Sequence, residues 1–192
     1  EPALGGFGLG AGLVFLHGTP AQVEDPWTTD MKGERVLPPS VSVLFGGYTA
    51  NDSWMAGVGH LGSYREDTIR YTGAAGYAQV NLDYFIGDTG FAYRIDGAFL
   101  LQDVLFRLAE TPLFLGANYT LFSNEVAPRE AGSGIGGLEL DSTNAALGAK
   151  ALYDTRDSIF TPNSGVQTEL KVQSFNQAFG GDFDYWGTRL DA

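Results

Sequence analysis

The residues with chemistry in reach are few and scattered. Histidine occurs twice, at His17 and His60, and neither stands in a His-Glu-x-x-His run or beside a Gly-x-Ser-x-Gly nucleophile turn. A loop position is expected for His17 and an inward or interfacial one for His60. Gly132-Ser133-Gly134-Ile135-Gly136-Gly137 has the spacing of a dinucleotide fingerprint, with Asp157 about 20 residues on. That motif needs a strand before it and a helix after it. No apolar strand immediately precedes it, and Leu138-Glu139-Leu140 opens no helix. Asp182 and Asp184 could act as a glycosidase carboxylate pair: two residues apart on a strand they project the same way, roughly 6 to 7 Å apart, so spacing leaves the question open. Glu24, Asp25, Asp30, Glu125 and Glu130 offer oxygen ligands for divalent cations, and solvated loops explain them equally well. Cysteine is absent, which removes thiol nucleophiles, disulfides and thiolate metal sites together.

The elements that must position these residues are strands. Gly6, Gly8, Gly10 and Gly12 alternate with Phe7, Leu9, Ala11, Leu13 and Phe15, a period of two that predicts a strand; glycine at that density disfavours helix by about 1 kcal/mol per residue. A polar, proline-bearing loop from His17 to Pro39 leads to Val41, Val43 and Phe45. Ala50-Asn51-Asp52 and Arg65-Glu66-Asp67 carry turn chemistry. From Ile69 the faces separate: Ile69, Tyr71, Gly73, Ala75 and Tyr77 against Arg70, Thr72, Ala74 and Gly76. Near Ala78 the apolar phase slips to Val80, Leu82 and Tyr84, which predicts a bulge. After the turn at 87–90, Tyr93, Ile95, Gly97, Phe99 and Leu101 oppose Arg94, Asp96 and Ala98; further alternations run over 113–121, 145–153 and 166–172, with a last strand beginning near Phe183. Eight or nine strands result.

Composition narrows the class. Glycine makes up 27 of 192 residues, about twice the usual share, with no period of three. A formal charge of −12 lacks the electrostatic footprint of a nucleic-acid binder. No window approaches the roughly 20 consecutive apolar residues of a membrane helix, but a barrel strand needs only about 9 to 11 residues with one apolar face, compatible with a mean hydropathy of −0.06. The strands are long, their polar face is mostly Gly, Asn, Gln and Thr, and the apolar face is aliphatic in the middle with aromatics near its ends, as at Tyr93 and Tyr153. That is the pattern of a membrane β-barrel with aromatic girdles. A soluble β-sandwich should carry a densely charged outer face on shorter strands.

One stretch is more specific. Tyr153-Asp154-Thr155-Arg156-Asp157, then Phe160, Pro162 and Gly165, then Gly180-Gly181-Asp182-Phe183-Asp184-Tyr185, resembles the bacterial surface antigen family, the barrels of BamA and TamA type. Gly46-Gly47-Tyr48-Thr49, Asn51, Ser53-Trp54, Arg70-Tyr71, Gly73, Gly76-Tyr77 and Val80-Asn81-Leu82-Asp83 look like a branch of it without periplasmic repeats. Within the motif, Asp154 and Arg156 share a strand face and could pair inward, Asp157 would cap the turn, Pro162 sets φ, and Gly165 can take a positive φ. The resemblance implies a sixteen-stranded outer-membrane barrel of which 1–192 supplies about half, incomplete at the C-terminus, and it places Asp182 and Asp184 in a loop. The family's later inward Arg-Gly motif has no counterpart here.

The expected fold is thus all-β: a transmembrane antiparallel up-and-down β-barrel segment in the outer membrane of a Gram-negative bacterium. The expected function, implied by the resemblance, is non-enzymatic help with protein insertion or export through a seam between first and last strands. Gly6, Gly8, Gly10 and Gly12 form the candidate seam strand, since an edge poor in side chains opens easily. Arg94, Asn118, Lys150, Gln167, Glu169 and Lys171 are the candidate lumen-facing residues; Tyr153, Asp154, Arg156, Asp157, Pro162 and Gly165 organise one hairpin. Catalytic, cofactor and metal residues are not expected. Expected partners are outer-membrane lipid and lipopolysaccharide, with other envelope proteins or unfolded clients, and no nucleic acid. The alternatives are a passive barrel or structural subunit of an envelope complex, and a soluble carbohydrate-binding β-sandwich.

Overall fold

A computed structural model describes residues 7–18, 39–86, 89–129, 140–159 and 162–192. They form one antiparallel sheet of nine strands in chain order, each paired with its sequence neighbours: β1 Gly8–His17, β2 Ser40–Thr49, β3 Trp54–Tyr64, β4 Ile69–Ile86, β5 Thr89–Arg107, β6 Leu113–Pro128, β7 Leu140–Asp154, β8 Gln167–Phe175 and β9 Tyr185–Asp191. The sheet does not close on itself among the described residues, as befits part of a barrel. Gly6, the 132–137 glycine run, Glu24, Asp25, Asp30, Glu130 and Phe160 lie outside the described residues.

Registers run without interruption, from Ile69↔Phe106 to Ile86↔Thr89 between β4 and β5. The bulge expected near Ala78 is therefore absent: Ala78 pairs with Met55 on one side and Gly97 on the other. The slip in the sequence has another cause. β4 is 18 residues long and β5 is 19, well beyond the 9 to 11 a bilayer needs, so both strands pass out of the apolar layer and the polarity of their faces changes there.

Register assigns every side chain to one of two faces. One face carries Arg70, Leu105, Gly116, Lys150, Lys171 and Arg189 in a single row. The other carries Ile69, Phe106, Leu115, Ala151, Leu170 and Leu190 at the adjacent level. The first face is concave: Arg70 on β4 reaches Asp154 on β7 at 2.7 Å, although three strand spacings on a flat sheet amount to about 14 Å. The second face is convex and apolar. Leu147 and Leu170 remain 45% and 43% exposed on it, and no second layer covers them among the described residues, which overturns the sandwich alternative.

Exposed aromatic side chains border the convex band. Tyr64, Phe106 and Tyr153 lie at the end bearing the short 65–68 and 108–112 connections, and Tyr48, Trp54, Tyr77 and Trp186 at the other. From Tyr64 to Trp54 on β3 is ten residues, about 33 Å along the strand, or about 25 Å of height at a barrel tilt near 40°. Beyond this band the convex face turns polar, with Gln79, Asp96, Glu125 and Asp141 level with one another.

Gly116 on β6 is a close-approach position, since a Cβ there would run into the Val104 carbonyl and lie 2.8 Å from Leu105 Cα. Gly116→Ala is expected to weaken the β5–β6 ladder by about 1–3 kcal/mol, read as a lower urea midpoint of the full-length protein in micelles.

Candidate functional site

The densest side-chain chemistry sits on the concave face at the short-turn end. The turn after β3 holds Arg65, Glu66 and Asp67 at φ of 52°, 54° and 62°, three consecutive left-handed residues without a glycine, each costing roughly 1–2 kcal/mol. Asp67 offsets that strain. Its carboxylate, 1% exposed, accepts from Ser63 Oγ at 2.7 Å, from Arg70 Nε and Nη2 at 2.7 Å each, and from Arg107 Nη2 at 2.5 Å. Arg107 Nε also donates to the Asp67 carbonyl at 3.2 Å. Arg70 spends its remaining nitrogen, Nη1, on Asp154 Oδ2 at 2.7 Å. Asp154 in turn accepts from Arg156 Nε at 2.9 Å and from the Arg156 N–H at 3.1 Å.

Phe114 on β6 is fully buried beneath this cluster, with the guanidinium carbons of Arg70 and Arg107 at 4.0 and 5.0 Å from its ring centroid. The ring's negative face supports both cations. Next along the lumen, Lys150 Nζ bridges Asp103 at 2.7 Å and Glu169 at 2.9 Å. Strands β4, β5, β7 and β8 and the 65–68 turn are thus tied together by ion pairs, across the Phe114 ring of β6, whose partners are as far apart as Arg70 and Asp154, 84 residues. Charges this engaged make a clamp, not a reactive centre.

The hairpin motif feeds the clamp. Asp154 ends β7 inward while Tyr153 faces outward, 44% exposed. Asp157 caps the turn, accepting from the N–H groups of Asn163 at 3.0 Å and Ser164 at 3.3 Å; these donors, Asn163 first, hold its carboxyl below its ordinary range. Pro162 stands just before these two donors. Gly165 takes φ +97°, and a Cβ there would run into the Thr155 carbonyl.

Of the other residues singled out in the sequence, Asn118, Lys150, Gln167, Glu169 and Lys171 lie on the concave face. Asn118 is buried there with no partner for its amide among the described residues. Arg94 does not join them. It lies on the convex face above the apolar band, paired with Asp96 at 2.7 Å, while Tyr93 takes the concave side. The lower half of β5 carries apolar residues on both faces, Leu101 and Leu105 inward beside Asp103 and Arg107, Leu100 and Val104 outward beside Gln102, so the apolar alternation alone could not say which side was which.

Asp182 accepts from the Thr143 N–H at 2.5 Å and Asp184 from the Gln177 N–H at 3.2 Å. Asp182 caps backbone of β7 and Asp184 backbone of the 176–184 connection, and they share no site. His17 is the last residue of β1, not part of the loop, and His60 points outward on β3. Ser42 joins them: its Oγ is 2.9 Å from His17 Nε2 and 2.8 Å from His60 Nδ1. The second is a nucleophile-to-base distance, but the N–H groups of β2 and β3 around it are spent in ladders with β1, β3 and β4, leaving no paired donors for an oxyanion. No group of three metal-ligating side chains exists among the described residues.

Sequence reasoning missed Asp67, Arg107 and Phe114 as a unit with Arg70. The available signal was charge on the polar phase of otherwise apolar strands: Arg70, then Asp103 and Arg107, then Lys150 and Asp154.

β1 is the other notable feature. It pairs with β2 alone among the described residues, all ten of its residues are exposed, and Gly8, Gly10 and Gly12 occupy the lumenal positions opposite Thr49, Gly47 and Phe45. No ion pair binds it among the described residues.

With this geometry in hand, the comparisons are specific on one point. The family model described as the Omp85 superfamily domain matches residues 55–192. No curated protein and no solved structure matches the chain.

Two predictions follow from the clamp and its hairpin. Asp154→Ala strips a partner from both Arg70 and Arg156 inside the lumen and is expected to cost about 3–5 kcal/mol, measured by urea unfolding in micelles; Asp154→Asn, which keeps an acceptor oxygen, should cost less. The depressed pKa of Asp157 means that its contribution is complete above the ordinary carboxylate range and is lost as pH falls through its lowered folded value. The protection factors of the Asn163 and Ser164 amides, taken against intrinsic exchange at each pH, should therefore hold through mildly acidic pH and fall only below it.

Proposed function

This chain belongs to the Omp85 superfamily, and from that premise we propose that it is the membrane-embedded part of a non-enzymatic factor that inserts or exports proteins at the outer membrane of a Gram-negative bacterium. The observation that carries this reading is the mechanical contrast across one sheet. β4, β5, β7 and β8 are cross-linked by buried and half-buried ion pairs, whereas β1 carries glycine at three alternate lumenal positions and, among the described residues, no ion pair.

A strand held almost entirely by its backbone ladder is the least costly one to detach. Once detached, its partner β2 would offer N–H and C=O groups to an incoming client strand, which pairs by β-augmentation. Unfolded clients and surrounding outer-membrane lipid are the partners this mechanism requires.

The test changes the edge without disturbing the clamp. At Gly10 and Gly12 an added Cβ meets nothing closer than 3.4 Å, so Gly10→Val with Gly12→Val fits and raises strand propensity. In the full-length protein the double variant should fold, judged by heat-modifiable migration, and insert an unfolded barrel client into proteoliposomes several-fold more slowly. Insertion at the wild-type rate would leave the passive-barrel reading in its place.

A further inference from the structure

A chain of hydrogen bonds crosses the convex face at the open edge: His17 Nε2 to Ser42 Oγ at 2.9 Å, Ser42 Oγ to His60 Nδ1 at 2.8 Å, and His60 Nε2 to the Tyr64 hydroxyl at 2.6 Å. These four side chains point out of the barrel, not into it. His17 ends β1 and Tyr64 ends β3, at the aromatic border, and His60 lies four residues inside that border.

Proton counting shows that the chain is incomplete. With neutral imidazoles the four groups carry one N–H or O–H proton each, four in all, and three links consume three. Polarised in one direction throughout, the chain leaves one donor over at an end, Nδ1–H of His17 or O–H of Tyr64; with both histidines donating to Ser42, the donor left over is the Ser42 O–H. Neither end has a further hydrogen-bond partner among the described residues. In an apolar layer an unmet donor costs on the order of 1–3 kcal/mol, and the acceptors lipid provides at that border are ester and phosphate oxygens.

Beside the chain lies a groove of about 430 Å³ on the same stretch of sheet, walled by Phe15, Leu44, Val58 and Tyr71, with Ser42 and His60 at its polar end. Tyr71 frames it by lying flat over Gly73 and is fixed by donating to Gln102 at 2.5 Å. An apolar trough ending in a donor-bearing polar chain that runs to the aromatic border of the apolar band matches an amphiphile with an acyl chain and an ester-linked phosphate head.

We propose that this groove is a binding site for one phospholipid, its ester or phosphate oxygen accepting the chain's surplus proton and one acyl chain lying between Leu44, Val58 and Tyr71. The site covers β1 to β4, so an occupied groove braces the edge strand against its neighbours. It rests on the convex face meeting lipid and stands whether or not the edge admits clients.

The test uses the full-length protein in vesicles of phosphatidylethanolamine bearing a photoactivatable acyl chain, with cross-linked peptides mapped after illumination. Labelling should concentrate on the strands of Leu44 and Val58 relative to Leu121 and Leu147 on the far convex face. Ser42→Ala with His60→Leu should lower the local labelling about fivefold, the equivalent of one lost hydrogen bond of about 1 kcal/mol. Ala75→Phe, which fills the groove without touching the chain, should lower it comparably, and it carries the test alone if the double variant fails to fold. Labelling spread evenly over the convex face, or local labelling that survives Ala75→Phe, overturns the proposal.

Discussion

The constraint on which this structure depends is that no backbone N–H or C=O can go unpaired in hydrocarbon, where each unmet group costs several kcal/mol. A sheet meets it only by continuous ladders, and the eight ladders here run without an interruption in register. Uninterrupted register in turn fixes which side chains meet water and which meet lipid, because a slip of one residue would exchange the two faces of a strand. The ion-pair clamp, the apolar band and the exposed aromatics are consequences of that single alignment. Arg70, Lys150 and Lys171 share a row because β4, β7 and β8 cannot slide past one another.

That same row sets like charges against each other, since Lys150 pairs directly with Lys171 and Lys171 with Arg189, an arrangement that is unfavourable across strands. It is tolerated because the adjacent row supplies acids: Glu169 beneath Lys150 and Asp191 beside Arg189, with ion pairs of 2.9 and 2.7 Å. The chain as a whole carries −12, yet six of its eleven basic residues, Arg70, Arg107, Lys150, Arg156, Lys171 and Arg189, gather at the short-turn end of the lumen. Charge is segregated along the barrel axis, with the convex-face acids Asp96, Glu125 and Asp141 at the opposite end.

Much of the fold was legible because the period of a strand is short and its punctuation chemical. Glycine alternation around Gly8 to Gly12, the Asn51-Asp52 turn and the Asp154-to-Gly165 hairpin each announce themselves within a few residues. What sequence could not supply was phase over long strands. Along β5 both faces carry apolar residues through the membrane, with Asp103 inward and Gln102 outward among them, and the polar face above the band is the outer one, so Arg94 pointed to the wrong side. The clamp was hidden for a different reason: Asp67 and Arg107 look like ordinary turn and strand-end charges until curvature brings β4 within reach of β7. His17 and His60 were similarly unremarkable as single residues, 43 positions apart by number, because their connection runs through Ser42 on the intervening strand.

Curvature and edge weakness have a common origin. Where strands carry long charged side chains on the concave face, bonds such as Arg70 to Asp154 and Lys150 to Asp103 pull non-adjacent strands together and hold the sheet's bend. Where that face carries glycine, from Gly8 to Gly12 against Gly47, nothing on the inside resists unbending. The restraint on β1 moves to the outside instead, to the His17–Ser42–His60 chain that spans three strands. An inward clamp resists opening in every direction, because it is buried and shielded from exchange. An outward chain is accessible to whatever surrounds the barrel, so the lipid touching β1 to β3 has a hold on the edge that it lacks on β4 to β8.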